Sequence, residues 1–219
     1  TTNNVTFLAA SLTGQPFNFF NEADGFTVGT VNSISGITTA GTTTSSGNIE
    51  LSTNAAGNGD ITITENITTG DANITEGGPQ FSTAQSGEII ITAGGSGNIL
   101  GAGLLKTGDA TVTNSSIADV AVSGDISLNA NEVSSDGSNA LSVTIGTVDS
   151  DGGTDTLGEL AVTTDGSGTA GEIRITTASD ISLGIINTTD ADATTVDITS
   201  TGGFIDFDNA SDLDLDNII

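Results

Sequence analysis

Asp149-Ser150-Asp151-Gly152-Gly153-Thr154-Asp155 has the residue types and spacing to hold a metal ion. Its carboxylates at Asp149, Asp151 and Asp155 stand two and four residues apart, with glycines that let the backbone wrap closely. Hard oxygen donors of this kind suit Ca2+. A full calcium loop adds a distal bidentate Glu and a regular series of odd positions, which this stretch lacks. An exposed acidic turn accounts for it equally well. A second acidic pattern closes the sequence, where Ile205-Asp206-Phe207-Asp208 and Asp212-Leu213-Asp214-Leu215-Asp216 alternate strictly. Asp206, Asp208, Asp212 and Asp214 then line one face of each strand. Stacked in adjacent coils, such carboxylates would stand about 5 Å apart and repel by roughly 1 kcal/mol per pair in water. Cations between them, or strands on different faces, relieve that repulsion. A solvated acidic face is the plainer reading.

Other chemistry is narrowed by composition. The chain of 219 residues carries 28 acidic residues against 2 basic ones, a formal charge of −26. Lys106 and Arg174 are its cations, and it has no His, Cys, Met, Trp or Tyr. Nucleic acid and anionic membrane surfaces need clustered Lys or Arg, so neither is an expected partner. No apolar run approaches the ~18 residues of a membrane span, so no membrane insertion is expected. Without His, neither a nucleophilic triad nor imidazole acid–base work can be assembled. Polysaccharide-acting β-helix enzymes call for a base, cations and aromatic sugar platforms. Two acids drawn from 28 form a hydrolytic pair only by coincidence, so no enzyme is expected. A chain without Met that starts Thr1-Thr2-Asn3 reads as a processed product, with removal of a secretory signal the expected cause. That places it outside the cell or on its surface.

The elements that must position these residues repeat one short pattern: a glycine, a polar residue, then two aliphatics separated by a single residue. It occurs at Gly47-Asn48-Ile49-Glu50-Leu51, Gly59-Asp60-Ile61-Thr62-Ile63, Gly87-Glu88-Ile89-Ile90-Ile91 and Gly108-Asp109-Ala110-Thr111-Val112. It returns at Gly124-Asp125-Ile126-Ser127-Leu128, Gly158-Glu159-Leu160-Ala161-Val162 and Gly171-Glu172-Ile173-Arg174-Ile175. Period-two alternation predicts short strands with one buried face, and no helical period persists. An echo joins Phe26-Thr27-Val28-Gly29-Thr30-Val31 to Val143-Thr144-Ile145-Gly146-Thr147-Val148, with loops of varying length between later matches. Fixed strands with elastic corners are the mark of a solenoid. The expectation is an all-β, right-handed parallel β-helix of about eight to ten coils, roughly 20 to 25 residues each, with a loop leaving the shaft around Asp149 to Thr156. An antiparallel β-sandwich, as in pilus or S-layer subunits, is the alternative. Residues 1–26 hold five of the eight phenylalanines and read as an N-terminal cap or assembly segment, with residues 27–219 as the shaft.

This wording, Gly-Asp-Ile-Thr-Ile-Thr, Thr-Val-Gly-Thr-Val and Gly-Glu-Ile-Arg-Ile-Thr, resembles the repetitive bacterial surface proteins related to filamentous haemagglutinin. The resemblance spans about residues 25–208 and implies a long β-helical shaft on the cell exterior. Open coil ends present unpaired strand edges that template another chain. The expected protein is therefore a structural subunit or shaft segment of a surface filament or adhesin, with copies of itself as partners. Phe7, Phe17, Phe19 and Phe20 are the expected contact at one end and Ile218 and Ile219 at the other. A calcium-dependent binding module of a larger adhesin is the alternative.

Overall fold

The computed structural model describes residues 5–22, 24–54, 59–75, 81–113, 119–133, 141–150, 153–164, 173–177, 181–188, 196–207 and 213–215. These residues contain strands and no helix, stacked as a parallel β-solenoid. The first coils visit three faces in turn, and beyond Ile99–Gly101 the described strands of the shaft continue on faces 2 and 3. Face 1 stacks Phe7–Leu8, Phe26–Val28, Ile61–Ile63 and Ile99–Gly101. Face 2 stacks Ala10–Thr13, Ile37–Ala40, Ile67–Thr69, Leu104–Lys106, Leu141–Thr144, Ile173–Thr177 and Val196–Ser200. Face 3 stacks Phe17–Asn21, Ile49–Thr53, Ile89–Thr92, Ile126–Ala130, Glu159–Thr164 and Ile181–Thr188. The last of these pairs with both Ile205–Phe207 and Leu213–Leu215.

The alternation in the sequence is the alternation of burial. Ile49 and Leu51, Ile61 and Ile63, Ile89 and Ile91, and Leu160 and Val162 are all fully buried. They belong to one continuous core enclosed by the three faces. Aliphatic columns of this kind supply the main driving force for stacking, at about 1.5–3 kcal/mol per fully buried side chain.

Between faces 2 and 3 the middle coils bulge into a lobe. One side of it stacks Ala72–Thr75, Ala110–Thr113 and Val148–Asp149. The other side stacks Thr83–Gln85, Val120–Val122 and Thr154–Thr156. The lobe encloses a separate core of Ala72, Ala84, Ala110, Val112 and Ala121, with Ile74 and Val148 packed on it. Small side chains let its two walls approach closely.

Several expectations are corrected. The coils are longer and fewer than eight to ten: Ile67 pairs with Leu105 and Leu105 with Val143, 38 residues on each time. The seven glycine-led copies do not mark seven coils. Those at Gly47, Gly87, Gly124 and Gly158 lead into face 3, the one at Gly59 into face 1, the one at Gly108 into the lobe and the one at Gly171 toward face 2. The internal echo is out of phase for the same reason: Phe26–Val28 lies on face 1 and Leu141–Thr144 on face 2. No loop leaves the shaft from Asp149 to Thr156 along its described part, because Val148–Asp149 and Thr154–Thr156 are the third rungs of the lobe. The antiparallel sandwich is overturned, since every described pairing is parallel except the hairpin of Thr30–Val31 with Ile34–Ser35. Its turn residues Asn32 and Ser33 have φ of 49° and 69°, the mirror-image turn that matches the twist of two antiparallel strands.

Residues 7–21 lay down the first coil. Phe7–Leu8, Ala10–Thr13 and Phe17–Asn21 pair in register with the coil above on all three faces. Within the chain's aromatic start, Phe26 already belongs to the second coil.

Candidate functional site

Three places could carry function: the acidic corners, the acidic C-terminal strands and the end coil. At the corners, a recurring Gly-Asp pair sets the geometry. Asp60 Oδ1 accepts the Asn98 N–H at 2.8 Å, and Asp71 Oδ1 accepts the Asp109 N–H at 2.9 Å. Asp109 Oδ1 in turn accepts the Thr147 N–H at 2.8 Å, and Asp125 Oδ1 the Glu159 N–H at 2.9 Å. Asn48 does the same for Glu88 at 3.1 Å, and Asn66 for Leu104 at 3.2 Å. In each case the earlier coil lends a side-chain oxygen to a backbone donor of the next coil. A strand leaving a corner would otherwise strand that donor, and a charge-assisted bond satisfies it well. The sequence pattern marks these residues only as polar. The signal was present as Gly59-Asp60, Gly70-Asp71, Gly108-Asp109 and Gly124-Asp125.

Asp149 and Asp155 fall on opposite walls of the lobe, in register with Thr111 and Ala121. The Asp155 carboxylate closes the intervening turn, its Oδ1 accepting the Ser150 N–H at 2.8 Å. The Gly153 N–H donates to the Ser150 carbonyl at 3.2 Å. Asp151 lies outside the described residues. Ca2+ takes about six to eight oxygens. Among the described residues no three acidic side chains converge as a metal site.

At the C-terminal strands, Asp206 pairs in register with Ser182, and Asp214 with Asn187. Both strands therefore sit on the same rung, side by side along one partner, rather than in adjacent coils. Five residues along a strand is about 16 Å, so the expected 5 Å repulsion between Asp206 and Asp214 does not arise. Asp208 and Asp212 lie outside the described residues.

The end coil brings the phenylalanines together in two roles. Phe17 and Phe19 turn inward and pack, half-buried, on the main core. The Phe19 ring meets Phe26 edge-on, with centroids 5.1 Å apart. Phe7 and Phe20 point the other way, 56% and 46% exposed, on two different faces. Leu8 and Ala10 complete the inward set and are likewise only half-buried. Ile218 and Ile219 lie outside the described residues. A shallow groove lined by Pro16, Asn18, Asn48, Glu50 and Ile90 crosses the first three rungs of face 3 beside this coil.

Between Val5 and Asn21 the end coil contains no Asp, Glu, Lys or Arg. Glu22 and Asp24, both exposed, close this coil after Asn21. No family model, curated protein or solved structure matches the chain.

Proposed function

We propose that this protein is an extracellular, non-enzymatic structural element, a shaft segment of a surface filament or adhesin whose copies join end to end through the first coil. The observation that carries the reading is that coil. It ends three sheets at once, leaves Leu8, Ala10, Phe17 and Phe19 half-buried, and bears no charge from Val5 to Asn21 in a chain of net charge −26. Strand edges over a half-open apolar core invite pairing with another chain. Placement at the cell surface rests on the resemblance of the Gly-polar-aliphatic repeat to bacterial surface shafts.

The test uses the full chain in sedimentation velocity and negative-stain microscopy. Wild type is expected to associate with rising concentration. The double variant Phe7→Asp/Phe20→Asp changes two exposed side chains, so it is expected to keep the wild-type melting midpoint and lose association. A wild-type chain that stays monomeric at several hundred micromolar, or a variant that associates like wild type, rejects the proposal.

A further inference from the structure

The partner that fits the first coil can be read from charge. Any two copies of a −26 chain repel, and the cost is greatest where carboxylates are brought together and dried. The opposite end of the shaft carries acids on its last rungs: Asp197 is exposed on Val196–Ser200, and Asp206 and Asp214 stand on the two strands that end face 3. The first coil offers no cation to meet them. A head-to-tail junction would thus lay an uncharged, Phe-bearing surface against an end that exposes Asp197 and whose last strands carry Asp206 and Asp214 in their sequence, with no cation to compensate. Two first coils facing each other bring together strands without carboxylates, with acids only at the closing corner of each, Glu22 and Asp24.

The corner ladder points the same way. Asn48, Glu88, Asp125 and Glu159 occupy one register position along face 3, and the N–H at that position in the later coil can be taken by the side chain below, as Asn48 does for Glu88. In the first coil this position is Pro16, because Phe17 pairs with Ile49. Proline brings no N–H, so a coil added beneath in the parallel sense would find no donor for its corner acceptor. The first coil ends the parallel ladder at that corner instead of continuing it.

We infer that the first coil docks on the first coil of a second copy, head to head about a two-fold axis, with the acidic ends pointing outward. This inference rests on the proposed end-to-end assembly and fixes its direction. Such an interface is self-complementary and closed. A filament built on it alternates the polarity of its members, and without a second contact it stops at a dimer.

Because the chain has no cysteine, single nitroxide labels can be placed one at a time at Ser11→Cys and Thr199→Cys, both exposed and both on face 2 at opposite ends. Pulsed dipolar spectroscopy on the associated full-length protein then reads the distance between like labels. Head-to-head docking gives unequal distances, below about 30 Å for Ser11 and beyond about 55 Å for Thr199, from a strand spacing of ~4.8 Å. Head-to-tail docking gives both labels one spacing, the height of a single copy, and overturns the inference while leaving the end-to-end reading intact. A longer distance for Ser11 than for Thr199 overturns it also. The absence of any dipolar signal at several hundred micromolar rejects both. As a second readout, Asn18→Asp is expected to weaken association at least tenfold at low salt and much less at 1 M salt, since each copy would contribute the new charge. An equal effect at both salts contradicts the two-fold contact.

Discussion

At the scale of the residue, the shaft depends on groups that are small or hidden rather than reactive. Gly47, Gly87, Gly124 and Gly158 form a column in which a Cβ on Gly87, Gly124 or Gly158 would land on the carbonyl of the glycine below. Gly70, Gly108 and Gly146 form a second column with the same property. Between the columns, at the neck of the lobe, the buried Thr69 hydroxyl donates to the Gly87 carbonyl at 2.8 Å and accepts the Gly108 N–H at 3.0 Å. Ser86 accepts the Gly124 N–H at 2.8 Å, Thr107 the Gly146 N–H at 2.9 Å and Ser123 the Gly158 N–H at 2.7 Å. Gly124→Ala sets side chain against backbone, which cannot move aside cheaply. It is expected to cost about 3 kcal/mol and lower the thermal midpoint by roughly 6–12 °C. Ser86→Ala strands a buried donor and is expected to cost about 1–3 kcal/mol, whereas Thr113→Ala, on the exposed lobe face, stays within about 0.5 kcal/mol. Circular-dichroism melts of the three variants check both statements. Of this, the glycines were legible in the sequence. The hydroxyls were not, because Thr and Ser are common throughout, and only the fold separates Thr69, 1% exposed, from the exposed Thr75 and Thr113.

At the scale of the element, strand type was readable and strand address was not. Ile-x-Ile carries the same alternation on every face, so Gly59-Asp60-Ile61 and Gly87-Glu88-Ile89 look alike although one feeds face 1 and the other face 3. The corner before the strand does not mark the address either, because a side-chain oxygen from the coil below accepts an N–H there on all three faces and in the lobe. Inward and outward positions should separate sharply within a single strand. Ile91→Ala is expected to cost about 2–5 kcal/mol, and Ile90→Ala, half-buried on the outer surface of the same strand, about 1 kcal/mol or less. Denaturant titration of the pair tests this. The acidic stretch of the lobe can be judged in the same terms. Asparagine keeps the oxygen that takes the Ser150 N–H, so Asp155→Asn is expected to hold the wild-type midpoint within about 1 °C, while Asp155→Ala loses about 1 kcal/mol. Calcium titrated during the melt decides the other reading of Asp149, Asp151 and Asp155. A calcium-induced rise in midpoint that Asp155→Asn abolishes would make the turn a metal site.

At the scale of the molecule, the charge and the stack length are coupled. Acids crowd the corners and the last rungs, where successive coils bring Glu88, Asp125 and Glu159 to one register position. Their mutual repulsion is screened by salt, so the thermal midpoint is expected to rise between 10 and 300 mM NaCl, as calorimetry would show. A midpoint that falls over this range would mean that attractive pairs dominate. Alternation and repetition made the solenoid legible in advance, and composition its acidity. It could not reveal the lobe, because a lobe changes the length of a coil without changing the alternation of its strands.

The lobe separates two ways in which such a molecule can vary. From face 2 to face 3 the step from Ala10 to Phe17 is 7 residues and the in-register step from Ile67 to Ile89 is 22, and the extra 15 are spent outside the main core, on the lobe. Height and girth are therefore written in separate stretches of the chain. Adding a whole coil lengthens the shaft by one strand spacing, about 4.8 Å, and leaves its outline alone. Adding residues between a face 2 strand and the next face 3 strand widens it and leaves every rung of the main core in place. A shaft of this design can acquire a new side profile without giving up its reach.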